Sequence, residues 1–111
     1  MSAESDFVAL ADRVLGAIAA ALDDADADVD WTLNDGVLTI DCGAGGKLIV
    51  NRHQPSREIW VAARSGGFHF RGGSGAWRDT REGTELGAKL SQLLLAQAGI
   101  GVELGAIPAS L

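Results

Sequence analysis

The middle of the chain alternates between short apolar–polar stretches and tight-turn sequences, and this pattern constrains the fold more than any other feature. Stretches with a period of two are typical of half-buried strands. They cover about residues 29–33, 37–42, 47–52, 58–64, 68–71 and 76–79. The first pair is joined by Asn34-Asp35-Gly36, a strong hairpin signal. Because turns this short join antiparallel neighbours, we predict about six strands connected as hairpins.

Two segments with helical periodicity flank these strands. The first covers about residues 4–23, and the second covers about 84–98, with Thr84 as its N-cap and Gly99 as its stop. Two amphipathic helices can cover one face of an antiparallel sheet and leave the other in water. We therefore predict an α+β fold, a two-layer α/β sandwich with two helices on one face of a roughly six-stranded antiparallel sheet. The 111 residues suffice for a single domain, 1–111, and the apolar tail 100–111 either packs against the two helices or frays as a loosely packed tail.

The charge of the chain is strongly uneven. Residues 1–41 hold ten acidic residues and one basic residue, a net charge of −9, whereas residues 42–111 carry +3. An acidic first third argues against a nucleic-acid partner and favours cations or a basic protein surface. No apolar run approaches the roughly 20 residues of a membrane span, and the N-terminus lacks a basic leader, so we expect a cytoplasmic protein. The single cysteine, Cys42, excludes an internal disulfide and a Cys-x-x-Cys cluster site.

Five aspartates crowd the region after the first helix, and we call residues 23–30 the acidic segment. They are Asp23, Asp24, Asp26, Asp28 and Asp30. If the second half is extended, its carboxylates project to one side about 6–7 Å apart, too far for a tight single-ion cage. Carboxylates alone suit hard cations whose shell is completed by water, and the alternative is a solvated acidic loop. Asp23 and Asp24 also lie at the negative pole of the helix, so we expect Asn at both positions to raise the melting temperature of the metal-free protein.

The uncovered face of the sheet offers an aromatic anchor. Trp60 stands between Ile59 and Val61, so it points outward when they point toward the helices, and Asn51 and His69 share its face. An exposed tryptophan on such a face is typical of a binding site, and the alternative is a ring that merely lies over its strand neighbours. Alternation along the strands places three further side chains on the face that the helices cover, and we predict them to be buried: Trp31, Trp77 and Cys42.

Several motifs resemble those of the frataxin family. They are Asn51-Arg52-His53-Gln54-Pro55, Glu58-Ile59-Trp60-Val61-Ala62, Gly66-Gly67-Phe68-His69-Phe70, Trp77 and Arg81. Phe7, Leu10-Ala11-Asp12 and Leu22-Asp23-Asp24 resemble the bacterial CyaY branch. The resemblance covers about residues 4–100 and implies the two-layer α/β sandwich that the periodicity predicts independently.

The resemblance also implies a function. It implies a non-enzymatic regulator of iron–sulfur cluster assembly that binds iron (Fe²⁺ or Fe³⁺) weakly and acts on the cysteine desulfurase and scaffold complex. The candidate metal ligands are Asp23, Asp24, Asp26, Asp28, Asp30, Glu4 and Asp6, and the candidate partner-binding residues are Asn51, Trp60, His53, His69, Asp23, Asp26 and Asp30. We expect a monomer, with metal-induced oligomers as the alternative. The rival functions are an iron donor, a ferroxidase-type iron store and an acidic module without a metal role.

The chain departs from the family pattern at four positions. His53 and Glu58 stand where many relatives carry Gln, and Ala19 and Ala20 stand where bacterial relatives often carry Glu. The acidic run over residues 23–30 is also slightly shorter than in those relatives, so we expect the acidic segment to hold fewer metal ions.

Overall fold

The computed structural model describes residues 3–73, 75–105 and 107–109, and it places two helices around a run of six strands. The elements are α1 (Ala3–Asp24), β1 (Asp30–Asn34), β2 (Val37–Asp41), β3 (Lys47–His53), β4 (Glu58–Ala63), β5 (Gly66–Gly73), β6 (Ala76–Asp79) and α2 (Leu86–Ala98). A 3-10 turn at Gly43–Gly45 lies between β2 and β3. The first and last residues of all eight helices and strands lie within two residues of their predicted positions.

The strands form one antiparallel meander. Their spatial order is β1-β2-β3-β4-β5-β6, so each strand pairs with its neighbours in the chain. Leu38 is opposite Val50, and Val50 is opposite Val61, so these three side chains lie on the same face. Because side chains alternate between faces, Asn51 and Trp60 lie on the other face.

The inner face of the sheet and both helices share one hydrophobic core. Its largest fully buried side chains are Trp77, Phe70, Leu15, Ile18, Leu22, Leu38, Ile40, Leu48, Ile59, Leu86, Leu90 and Leu94. This arrangement confirms the predicted α+β sandwich. The prediction is correct for Trp77, which is 1% exposed, but incomplete for Trp31, which is only half-buried because β1 is an edge strand.

The start of α2 corrects the predicted cap. Glu85, not Thr84, is the N-cap, and its carboxylate accepts hydrogen bonds from the backbone N–H groups of Gly87 (2.8 Å) and Ala88 (3.0 Å). The carbonyl of Thr84 instead accepts from the N–H of Asp79, which keeps Thr84 outside the helix. The predicted stop is confirmed, since Gly99 adopts a left-handed conformation with φ of 70°.

The described part of the tail packs against α2 and β6. Val102 and Leu104 are buried. Trp77 Nε1 donates to the carbonyl of Pro108 at 2.7 Å, and Ser91 Oγ donates to the carbonyl of Val102 at 2.7 Å. These bonds satisfy an indole and a hydroxyl at the edge of the core.

Arg52 fastens α1 to the β1–β2 hairpin. Its guanidinium forms ion pairs with Asp12 of α1 and with Asp35 of the turn. Its backbone N–H donates to the carbonyl of Gly36 at 3.0 Å. Gly36 is buried with φ of 77°, and a Cβ there would approach Arg52 Nε to 2.6 Å. The position therefore needs glycine both for its backbone conformation and for the space that Arg52 occupies.

We expect Gly36→Ala to lower the free energy of unfolding by about 1–3 kcal/mol, because the left-handed backbone is strained and the guanidinium must move. Gly43→Ala is the matched control, since Gly43 has a similar φ of 69° but no atom within 4 Å of the point that a Cβ would occupy. Urea denaturation of both variants measures the difference. Equal losses would show that the contact with Arg52 contributes nothing.

The acidic end of α1 is tied to β1 by one hydrogen bond. Trp31 Nε1 donates to Asp23 Oδ1 at 3.0 Å. Asp24 is exposed, and within the described ranges its side chain makes no hydrogen bond or ion pair. Asp23 therefore links helix to sheet, whereas Asp24 retains only the unfavourable charge at the helix C-terminus. The two carboxylates that the sequence pattern groups together thus have different surroundings.

We expect Asp24→Asn to raise the melting temperature by about 2–5 °C at low salt, because it removes a negative charge from the negative pole of α1. Asp23→Ala should instead lower it, because Trp31 loses its acceptor. Thermal melts by circular dichroism at two salt concentrations measure both shifts. Added salt should reduce the rise in melting temperature of Asp24→Asn but not the fall in Asp23→Ala. A rise in melting temperature for both variants would contradict a structural role for the Asp23–Trp31 bond.

Candidate functional site

The acidic segment lies where α1 ends and β1 begins. All five of its aspartates are exposed. Asp26 adopts a left-handed backbone with φ of 51°, and its N–H donates to the carbonyl of Asp23 at 3.0 Å. Residues 25–29 therefore turn, and only Asp30 belongs to a strand. The evenly spaced, extended row considered from the sequence is not formed, because the helix unwinds through a turn before the strand starts.

The carboxylates of the acidic segment do not converge. Among the residues that the structure describes, no group of three or more His, Cys, Asp or Glu side chains is close enough to hold one metal ion. Exposed carboxylate oxygens still suit hard cations, which bind oxygen ligands and keep water in their shell. The segment thus suits a hard cation bound through one or two carboxylates at a time, and its described residues do not form a closed cage.

Asp6 and Glu4 lie at the opposite end of α1. Asp6 is separated from Asp23 by about 25 Å along the helix axis, so the fold does not bring it together with the acidic segment. Asp6 is half-buried, and its Oδ1 is a buried atom without a hydrogen-bond partner within the described ranges. It lines a groove with Arg57 and Trp77. The side chain of Glu4 lies outside the described part of the structure.

Three aromatic rings are stacked on the outer face of the sheet, and we call them the aromatic stack. The indole of Trp60 lies between the imidazoles of His53 and His69. The ring centroids are 3.5 Å apart for His53 and Trp60, with planes 11° apart, and 4.3 Å apart for Trp60 and His69, with planes 9° apart. Trp60 is directly opposite both Asn51 and His69 in the sheet. The fold thus brings together the four partner-binding candidates that the sequence placed on β3, β4 and β5.

A shallow hollow of about 380 Å³ lies beside the stack. Its lining includes Trp60, His69 and Asn51 together with the smaller apolar residues Ile49 and Ala62. Apolar side chains, aromatic rings and one amide are a composition typical of surfaces that accept a partner side chain.

Glu58 lies beside the stack, and sequence reasoning did not select it as a functional residue. It is only 5% exposed although it faces outward. Its Oε1 accepts hydrogen bonds from Trp60 Nε1 at 2.9 Å and from Ser56 Oγ at 3.1 Å, and its Oε2 accepts from an Arg71 guanidinium nitrogen at 2.9 Å. A glutamate two residues before an outward tryptophan on the same strand shares its face, and that parity could have identified it.

The hydrogen bonds to Glu58 decide its charge state. Burial alone would raise the pKa of this carboxyl group. The donors from Trp60, Ser56 and Arg71, together with the positive charge of Arg71, outweigh burial and lower the pKa below its ordinary value. Glu58 is therefore an ionised, fully engaged acceptor at neutral pH.

Cys42 does not have the surroundings of a reactive thiol. It is half-buried against the core rather than fully buried as its parity predicted, because β2 ends one residue earlier. Burial, and then the charge of Asp41, raises the pKa of its thiol. The thiol is thus protonated at neutral pH, which disfavours nucleophilic attack and metal binding.

The helices of the described chain are unsuited to a bilayer. Neither is both long enough and apolar enough to cross a membrane.

Comparison with known proteins identifies the family. The model of the frataxin-like domain matches residues 1–100. The iron–sulfur cluster assembly protein CyaY of Paraburkholderia phymatum is 50% identical over 101 residues, which are 91% of this chain and 96% of that relative. The protein of the same name from Dechloromonas aromatica is 52% identical over 102 residues, 91% of this chain and 97% of the relative.

Solved structures agree with this assignment. Frataxin from Psychromonas ingrahamii superposes with a TM-score of 0.85 at 33% identity and covers 91% of this chain and 96% of its own. Trimeric frataxin from the yeast Saccharomyces cerevisiae, complexed with ferrous iron, superposes with a TM-score of 0.71 at 28% identity over 81% of this chain and 86% of its own. The two-layer sandwich, the sequence motifs and these relatives agree, and the chain belongs to the frataxin-like family.

Proposed function

We propose that the protein is an iron-binding adaptor of iron–sulfur cluster assembly that regulates the cysteine desulfurase complex in the cytoplasm and catalyses no reaction itself. One observation carries the proposal: an exposed acidic segment adjoins the edge of a sheet whose uncovered face carries an ordered aromatic stack. The names of the CyaY relatives support a role in cluster assembly, and the ferrous complex of yeast frataxin supports iron as the ligand.

Iron is the cargo or regulatory ligand in this proposal, held by the acidic segment. Asp24, Asp26 and Asp28 are exposed and lie within five residues of one another. Since the carboxylates do not converge, each ion takes one or two of them and fills its shell with water. Binding of this kind is weak, multiple and reversible, which suits a protein that responds to iron supply.

The desulfurase is proposed to contact the acidic segment and the aromatic stack at the same time. The acidic segment complements a basic surface and steers the approach of the partner. The aromatic stack lies at least about 20 Å away, since Trp60 is three strand spacings across the sheet, level with Asn34, and Asp30 lies four residues further along β1. Trp60 is the anchor, and the hollow beside it accepts an apolar group of the partner. We propose that the protein acts as a monomer, and light scattering with and without iron tests this against metal-induced assembly.

A ferroxidase-type store has less support. Such centres use clustered Glu and His ligands, and the described residues contain no group of three metal-ligating side chains. Oxygen consumption during iron(II) titration separates a ferroxidase from an adaptor. An iron donor would bind the same segment, and transfer of labelled iron to the scaffold distinguishes it from a regulator.

We expect metal to bind weakly at several overlapping sites within the acidic segment, with trivalent hard ions bound more tightly than zinc, because the ligands are carboxylates only. Titration followed by NMR should move or broaden the amides of residues 23–30. The triple variant Asp24→Asn, Asp26→Asn, Asp28→Asn should abolish most of the change. Glu82→Gln with Glu103→Gln is the control, since both glutamates are exposed and lie elsewhere in the chain. A single tight site at His53 or Cys42 would contradict the proposal.

We expect the two contact features to act on different steps of desulfurase binding. Neutralising Asp23, Asp26 and Asp30 to Asn should slow association and flatten its salt dependence, because it removes the steering charge. Trp60→Ala should instead speed dissociation by about 30-fold, the effect of losing an anchor worth about 2 kcal/mol. Surface plasmon resonance at several salt concentrations resolves the two rates. By linkage, iron should change partner affinity by the same factor as partner changes iron affinity.

Leu95→Ala is the matched control for loss of an exposed apolar side chain. Leu95 is 61% exposed on α2, in the helical layer opposite the stack. It should leave both rate constants unchanged. If Trp60→Ala bound the desulfurase with the wild-type dissociation rate while remaining folded by circular dichroism, the sheet face would not be the contact surface.

A further inference from the structure

We propose that Glu58 is a positioning residue whose buried carboxylate holds the aromatic stack in a preformed arrangement for the partner. The proposal rests on the proposed function in one respect, that Trp60 contacts the desulfurase. It adds a role for a residue that, because it is buried, acts through Trp60 rather than as an anchor itself. The proposal predicts that substitutions at Glu58 and Trp60 have non-additive effects on dissociation of the partner.

The hydrogen bonds of Glu58 connect it to the rings of the stack. Oε1 accepts from the indole Nε1 of Trp60 at 2.9 Å and thereby fixes the rotation of the ring about its side-chain bonds. The same oxygen accepts from Ser56 Oγ, which lies 2.7 Å from His53 Nδ1. His69 Nδ1 lies 3.9 Å from Oε1. One carboxylate oxygen is therefore close to a polar atom of Trp60 and of His69, and it reaches His53 through one hydroxyl.

Arg71 keeps the charged form of Glu58 in place. Its guanidinium donates to Oε2 at 2.9 Å, while its own side chain is 67% exposed. The pair thus buries the negative charge beside the rings and leaves the positive charge in water. A buried carboxylate is stable only when its lone pairs are engaged, so the bond from Arg71 stabilises the ionised form that accepts from the indole.

A rigid stack favours tight binding because the partner need not order it. Immobilising one large side chain on association costs about 0.5–1.5 kcal/mol, which corresponds to roughly a two- to tenfold change in affinity. In this protein that ordering is already present in the free state, through the hydrogen bond to Glu58 and the two ring contacts. Removing the carboxylate should therefore raise the dissociation rate constant by about two- to tenfold while the anchoring indole itself is retained.

A double-mutant cycle tests the proposal. Glu58→Ala, Trp60→Ala and the double variant are compared with wild type for dissociation from the desulfurase. In the free proteins, ¹⁵N relaxation of the indole N–H reports how rigidly Trp60 is held in wild type and in Glu58→Ala. We expect Glu58→Ala to lower the indole order parameter and to speed dissociation about two- to tenfold. In the Trp60→Ala background the same substitution should have no effect on dissociation.

Two further variants separate positioning from loss of stability. Ile59→Val changes a core residue on the same strand, and it should lower stability while leaving the indole order parameter and the dissociation rate unchanged. Glu58→Gln keeps the side-chain volume, accepts more weakly and cannot form an ion pair with Arg71, so it should show the same effects with smaller size. If Glu58→Ala does not fold, the cycle with Glu58→Gln decides the question.

The outcomes distinguish this proposal from the proposed function. An unchanged indole order parameter in Glu58→Ala, or an effect on dissociation that persists without Trp60, would overturn the positioning role. If instead Trp60→Ala dissociates like wild type, the contact surface is wrong. The order parameter of the free protein then still decides whether Glu58 positions the stack.

Discussion

The burial of one face of the sheet under both helices is the constraint on which the rest of the structure depends. Six antiparallel strands with a period of two have an apolar face that is unstable in water, and the apolar sides of α1 and α2 cover it. Once Ile59 and Val61 point inward, Trp60 between them must point outward. The aromatic stack is therefore a consequence of the same alternation that builds the core.

Two groups of carboxylates in the described chain differ sharply in their surroundings. Glu58, Asp79 and Glu85 each accept backbone or side-chain hydrogen bonds that hold a turn, a helix start or the aromatic stack. The aspartates of the acidic segment are exposed, and of these Asp23 alone accepts a side-chain hydrogen bond in the described chain. Like charges that are left without partners cost stability, and they are available to a cation or to a basic surface. This division separates the carboxylates that hold turns and side chains in place from those whose charge is left uncompensated.

The sequence predicted the architecture because its signals are local. Turn residues such as Asn34-Asp35-Gly36 and the periodicities of two and 3.6 each act over a few residues, so they predict the element order and the inward or outward parity of Trp60 and Trp77. The uneven charge likewise marks the acidic segment. Predictions were less accurate where two adjacent residues could both cap a helix. The carbonyl of Thr84 accepts from the N–H of Asp79, and the carboxylate of Glu85 accepts from the first amides of α2.

Only the tertiary structure decided which of the marked residues meet. The sequence by itself determined that Asn51, Trp60 and His69 share a face, but the pairing register of β3, β4 and β5 set them side by side and placed His53 against the indole. It likewise placed Arg71 of β5 opposite Glu58 of β4, where the guanidinium donates to the carboxylate. Alternation along a strand determines on which face a residue lies, whereas contacts between strands depend on register and on side-chain hydrogen bonds, which join atoms that are distant in the chain.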